Sequence, residues 1–286
     1  MENPGRADVE TQGDTRGYPE YGLGHTDREL ERLQVQARTL EPFTRQLLLD
    51  AGLEPGMRVL DVGSGVGDVA LIVAQIVGDR GEVVGTDRAE RAIDVARRRA
   101  RDHSLDNVSF LRGDPTELSF DRRFDPIIGR YILAWQPNPA SMLTGLMPLA
   151  QPDGIVAFHE LEWAAARSFP PVERWDRCCR LAVEAMTAGG ADLQVGMKLN
   201  SLFLGVGLPA PSMRYASIIG STLEIVRFTT DIIATLLPDM ERRGIVKKDE
   251  INIETVAEDV LAEITASESI VVGRSEIGAW ARTPRP

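Results

Sequence analysis

The sequence has only two cysteines and three histidines in 286 residues. Cys178 and Cys179 are adjacent and cannot staple distant segments, and His25, His103 and His159 lie far apart. Neither a disulfide framework nor a zinc site is expected. No apolar run approaches the ~18–20 residues that a membrane helix needs. The opening MENPGRADVETQGD is polar and acidic, unlike a signal peptide or a basic transit peptide. These absences predict a reduced, cytoplasmic setting with no membrane and no metal. Positive charge is also short: the net charge of −11 disfavours nucleic acid as a partner. The one dense basic run, Arg97, Arg98, Arg99 and Arg101, lies in a helical stretch and reads as a solvated helix face.

What is present is ordinary for a globular chain, 43% hydrophobic and 26% charged. The length fits one large domain or two small ones. Residues 1–17 are polar without apolar periodicity and are expected to form a disordered tail. Thr26 to Glu29 reads as a capping box opening a helix with Leu30, Leu33, Ala37 and Leu40 on one face. Pro42 predicts the first turn of a second helix that ends near Gly52.

From Met57 short apolar runs alternate with amphipathic stretches. Strands are expected at 57–62, 82–87, 108–113, 125–130 and 154–160. Helices are expected over 69–77, across Ala92, Ile93, Ala96 and Ala100, and from Pro139 to Leu149. That alternation means βαβ units and a parallel, doubly wound sheet, an α/β fold. Further on, helices are expected at 171–189, 195–206 and 228–266, the last broken by Pro238 and Gly244. A strand is expected at 213–220, and 276–283 suits an antiparallel strand.

The densest information lies in Val59-Leu-Asp61-Val-Gly63-Ser-Gly65-Val-Gly67-Asp68. A glycine-rich turn between strand and helix lets backbone approach a nucleotide, with helix N–H groups facing it. Asp87 ends the next strand, placed to accept from ribose hydroxyls. The dinucleotide pattern G-x-G-x-x-G would need glycine at Asp68, and no Walker G-K-[ST] is present. An acid two residues before the first glycine repels a pyrophosphate and attracts an ammonium group.

On these motifs residues 57–163 resemble the core of the class I S-adenosylmethionine-dependent methyltransferases. They are most similar to the small-molecule group around the ubiquinone/menaquinone C-methyltransferases. The matching pieces are VLDVGSGVG (59–67), VVGTD (83–87), FLRGD (110–114), FDPIIGRYILAW (124–135) and PDGIVAF (152–158). The resemblance implies a Rossmann-like seven-stranded sheet with the last strand antiparallel, a helical cover over 18–56 and a lid within 164–286. It implies S-adenosylmethionine as methyl donor, with S-adenosylhomocysteine as product. Asp61, Gly63, Ser64, Gly65 and Gly67 would flank the methionine and ribose, and Asp87 with Arg88 the ribose. Gly113, Asp114 and Pro115 would meet the adenine, with a helix N-cap as the other reading of Asp114. Arg130 would meet the methionine carboxylate or pack a backbone carbonyl. Tyr21, His25 and Gln36 would close the methionine end, or form an anchored surface loop.

The acceptor should meet the ends of the fourth and fifth strands, where Tyr131 and His159 stand as the catalytic candidates. His159 is the expected general base, since imidazole titrates near neutrality; the alternative is a histidine bonded within the strand–lid junction. No Asn-Pro-Pro-Tyr follows the fourth strand, against the family's adenine- and glutamine-amide N-methylating branches. Trp163, Phe169, Trp175, Met186, Met197 and Phe203 would form an apolar lid, unless they are plain core. The expected reaction is methyl transfer to oxygen, carbon or nitrogen of a small, largely apolar metabolite, by a monomer or homodimer. The alternative keeps the fold and the bound S-adenosylmethionine but catalyses another step, such as a cyclisation.

Overall fold

The computed structural model describes residues 27–285. Tyr18, Tyr21, His25, Thr26 and the expected tail over 1–17 lie outside the described residues. The chain opens with helix α1 (Asp27–Asp50) and continues β1 (Arg58–Val62), α2 (Asp68–Val77), β2 (Glu82–Asp87), α3 (Glu90–Asp102), β3 (Val108–Arg112) and β4 (Phe124–Arg130). Then come α4 (Pro139–Leu146), β5 (Ala150–Glu162), β6 (Arg167–Phe169), α5 (Glu173–Ala188) and α6 (Val195–Gly205). The last elements are β7 (Ser212–Gly220), α7 (Leu223–Arg243), α8 (Val256–Ala266) and β8 (Ile270–Arg282).

The strands form one sheet in the order β3-β2-β1-β4-β5-β8, with β7 beyond β8. The first five run parallel, and β8 runs antiparallel to β5, as expected. An additional short strand, β6, pairs with the start of β8. Strand β1, covered on both faces, has all five residues buried, the charged Arg58 and Asp61 among them. On one face α1, α2 and α3 close a core around Leu48, Val73 and Ile93; on the other α4 and α6 pack around Leu143, Leu199 and Phe203. Helices α5, α7 and α8 build a third core around Trp175, Ile233 and Val260. Among the described residues no helix is long and apolar enough to cross a membrane.

Two proline expectations need correction. Pro42 and Pro238 lie inside continuous helices, α1 and α7. Both prolines face solvent, while Leu40, Thr44 and Leu47 around the first, and Leu236 and Met240 around the second, are buried. Burial on both sides of each proline outweighs the lost hydrogen bond, an instance of packing overriding local propensity. Gly244 ends α7 in the left-handed conformation, as its position suggests.

Candidate functional site

Strand β1 delivers Asp61 to the carboxyl edge of the sheet, and the chain then turns through 63–67 into α2. Ser64 N–H donates to the Thr86 carbonyl at 2.8 Å and Gly67 N–H to the Ser64 carbonyl at 2.9 Å, which locks the turn against β2. Gly63 has φ 65°, and a Cβ there would lie 2.5 Å from Ile132 Cδ1. Only glycine fits that approach without displacing its neighbour.

The turn borders a cavity of about 290 Å³. It opens beyond the carboxyl ends of β1, β2 and β4, where open α/β sheets hold ligands. Asp61, Gly63, Ser64 and Gly65 form one wall; Asp87 and Arg88 come from the end of β2. Gly113, Asp114 and Pro115 follow β3, Arg130 and Tyr131 follow β4, and Gln36 reaches in from α1. Gly67, expected beside the ligand, does not line the cavity. A Cβ there would lie 3.0 Å from Phe110 Cζ, so this glycine serves close packing of helix on sheet.

Asp61 is 1% exposed, and its Oδ2 has no hydrogen-bond partner among the described residues; the same holds for Ser64 Oγ. Burial pushes the Asp61 carboxyl up to about 7, against the pull of the Arg130 guanidinium and a backbone bond from Ala70. A buried carboxylate oxygen and a buried hydroxyl without partners, both on a cavity wall, are groups built for a polar ligand. Asp87, on the same cavity, is held by two backbone N–H groups. Its Oδ2 accepts from Gly65 N–H at 2.9 Å and its Oδ1 from Ala89 N–H at 2.8 Å. Each oxygen retains a lone pair for a further donor.

Asp114 caps its own turn through the Thr116 N–H and hydroxyl at 2.9 and 2.7 Å, and Arg88 Nη2 donates to it at 2.6 Å. Burial pushes this carboxyl up, but those bonds outweigh it and hold the group below the usual carboxylate range. No helix follows Asp114, so it is not a helix N-cap: it caps a turn and lines the cavity. Arg130 is half-buried and makes two long bonds, 3.3 Å to Thr44 Oγ1 and 3.4 Å to Asp68 Oδ2.

His159 does not line the cavity. It is 2% exposed, with Nδ1 3.1 Å from Thr44 Oγ1 and Nε2 3.0 Å from Glu276 Oε2. Burial holds its imidazole below the ordinary value, against the pull of Glu276. The strand–lid junction reading is the one this geometry supports: both ring nitrogens are used inside the protein.

The expected acceptor lid also needs correction. Trp163, Trp175, Met186 and Phe203 are buried in cores, while Phe169 and Met197 are exposed to solvent. The apolar wall instead comes from Ile132, Trp135 and Met142, around the short turn after β4. That turn is pinned by Glu160, whose Oε1 accepts from Ile132 and Leu133 N–H at 3.0 and 2.7 Å. Sequence reasoning also passed over Arg274 and Glu276 in β8. Two opposite charges at i and i+2 on a strand share a face, and in an apolar strand that is a signal of a buried pair.

Residues 53–194 match a family described as a methyltransferase domain. This stretch is a methyltransferase domain. Among curated proteins, the chain is 32% identical over 115 residues to the demethylmenaquinone methyltransferase of Staphylococcus aureus (strain MRSA252). That match covers 40% of this chain and 47% of that protein. It is 35% identical over 129 residues to the 2-phytyl-1,4-naphtoquinone methyltransferase of Synechococcus elongatus, covering 43% of this chain and 55% of the other. The chain thus spans about half the length of the curated relatives it matches. Among solved structures, the YcgJ protein from Bacillus subtilis superposes with a TM-score of 0.57 at 19% identity, over 85% of this chain and 99% of that one. That likeness establishes the methyltransferase domain's fold.

Proposed function

We propose that the chain transfers a methyl group from S-adenosylmethionine to a small, largely apolar acceptor bound in this cavity. The observation that carries the reading is the pair of buried, unpartnered atoms, Asp61 Oδ2 and Ser64 Oγ, on the wall built by the glycine turn. Asp61 faces the ammonium of the methionine arm and Arg130 its carboxylate. Asp87 receives the ribose hydroxyls, and Gly113, Asp114 and Pro115 border the adenine. When bound, S-adenosylmethionine supplies a methyl carbon already activated by sulfonium. The chain's own part is to align the acceptor and exclude water, which suits the apolar wall of Ile132, Trp135 and Met142. The names of the two curated relatives point to quinone-type rings, which supports an apolar ring as acceptor here.

Calorimetric titration tests the first half. S-adenosylhomocysteine should bind and NAD should not, because Asp61 and Asp68 oppose a pyrophosphate. Comparable affinity for NAD, or no heat with S-adenosylhomocysteine, sinks the reading. Mass spectrometry for a gain of one methyl group on a panel of aromatic metabolites tests the second half.

A further inference from the structure

Tyr131 stands on the cavity wall in the left-handed conformation, φ 57°. A non-glycine residue rarely adopts that geometry unless it is held there, and here its N–H is anchored to the His159 carbonyl at 2.9 Å. The turn points the phenol into a buried cluster. Its hydroxyl donates to Glu276 Oε2 and accepts from Arg274 Nη2 at 3.1 Å. Glu276 also bonds His159 Nε2 through Oε2 and Arg274 Nε through Oε1, at 3.0 and 3.1 Å. Arg274 in turn reaches Gln36 Oε1 at 3.3 Å and lies 4.3 Å from the Phe228 ring centre. Arg274 and Glu276 are 3% and 1% exposed, so the cluster lies behind the wall and touches the cavity through Tyr131 and Gln36.

A phenol oxygen has one proton to give and two lone pairs to receive. In Tyr131 the proton is committed to Glu276 and one lone pair to Arg274, which leaves one acceptor position. We propose that Tyr131 is a catalytic residue that receives the O–H of a phenol- or enol-type acceptor, with Glu276 as the carboxylate that takes the proton onward. The proposal rests on the methyltransferase reading and narrows its acceptor to one carrying a hydroxyl. In the step, the acceptor oxygen's electron pair forms the new bond to the methyl carbon. The methyl–sulfur bond breaks with its pair going to sulfur, which loses its positive charge. The acceptor's proton moves to the Tyr131 oxygen as the Tyr131 proton moves to Glu276 Oε2. Glu276 is a positioning residue, acting through Tyr131. The groups that face it are Arg274 on its own strand, Tyr131 after β4, and His159 and Glu160 on β5. Burial pushes its carboxyl up, but Arg274, His159 and Tyr131 outweigh that and hold it below the ordinary range, so it stays ionised.

The test has a binding arm and a rate arm, both on the full chain. With S-adenosylhomocysteine bound, 1-naphthol should bind about tenfold or more tighter than naphthalene, the worth of one hydrogen bond to a charge-assisted partner. Tyr131→Phe should abolish that difference while S-adenosylhomocysteine still binds. With S-adenosylmethionine, 1-naphthol should gain a methyl on oxygen, 1-naphthylamine should not, and Tyr131→Phe should lower the rate by about 100-fold or more. At saturating S-adenosylmethionine, Glu276→Gln should lower kcat for 1-naphthol and leave its KM unchanged, a split that a merely structural role would not give. Equal binding of naphthol and naphthalene, methylation of the amine at the naphthol rate, no methylation of naphthol, or an unimpaired Tyr131→Phe overturns the proposal. Failure to bind S-adenosylhomocysteine at all overturns the methyltransferase reading instead.

Discussion

His159 presents Nε2 to Glu276 Oε2 at 3.0 Å, with both side chains 2% exposed. Glu276 is held ionised and its carboxylate only accepts, so Nε2 donates to it and Nδ1 is left to accept from the Thr44 hydroxyl at 3.1 Å. That assigns the neutral tautomer with its proton on Nε2, directed at the carboxylate.

Removing this ring should therefore be a stability event. His159→Ala leaves a cavity beside Phe43 and strips partners from Glu276 and Thr44. Denaturant unfolding should show a loss of about 2–4 kcal/mol. Affinity for S-adenosylhomocysteine should persist, because the imidazole does not reach the cavity wall. A variant of normal stability and lost turnover would restore His159 as a base.

The same residue sets an acid limb of stability. Burial depresses its folded-state affinity for protons below that of the unfolded chain, whose ordinary value is 6.5. The stability contributed by the neutral ring is fully present above that pH and is lost as pH falls through it toward the folded value. The stability advantage of the natural chain over His159→Gln should narrow on acidification below 6.5. An advantage that is flat from pH 8 to 5 contradicts the assignment.

Asp61 has the opposite sign. Its carboxyl is raised to about 7, so in the free protein it is largely protonated below neutrality. An ammonium-bearing ligand favours the ionised form, so binding should release a proton. Affinity for S-adenosylhomocysteine should rise by up to about tenfold per pH unit below 7 and level off above it. Calorimetry in buffers of different ionisation enthalpy measures the released proton directly. Asp61→Asn should bind more weakly and lose the pH dependence.

Asp87 is tested by deletion of its carboxylate. Asp87→Ala should weaken S-adenosylhomocysteine binding by about 1.5–3 kcal/mol, the range for a hydrogen bond to a charged group. Part of that loss comes through the Gly65 N–H, which would lose its anchor. Unchanged affinity in a folded variant removes Asp87 from the ribose.

Two glycines of the turn should respond differently. Gly63→Ala meets Ile132 at 2.5 Å and should lower stability by about 1–3 kcal/mol, as overpacking does. Gly65→Ala, with φ 53° and nothing within 4 Å of its Cβ, should cost only the left-handed strain of about 1–2 kcal/mol. Its methyl would project at the ligand's wall, so ligand affinity should fall further than stability. Thermal unfolding with and without S-adenosylhomocysteine separates the two effects.

The alternation of strands and helices and the residues of the cavity wall were legible because both rest on local pattern. Val59 to Asp68 puts a buried strand, a glycine turn and a helix start within ten residues, and Asp87 follows at the end of the next strand. A parallel sheet then carries the strand ends to one edge, so Asp61, Gly63, Ser64, Gly65, Asp87, Asp114 and Arg130 meet there with no long-range information beyond the alternation itself. The prolines in α1 and α7, the covered His159 and the lid residues were decided elsewhere. A helix continues through Pro42 because Leu40 and Leu47 on either side of it are both buried, and no local rule carries that fact. His159 stands at the expected strand end, but Glu276 arrives from 117 residues away to occupy it. Periodicity assigns a residue to a face and an end of its element, whereas a side chain's partner depends on which other element packs there.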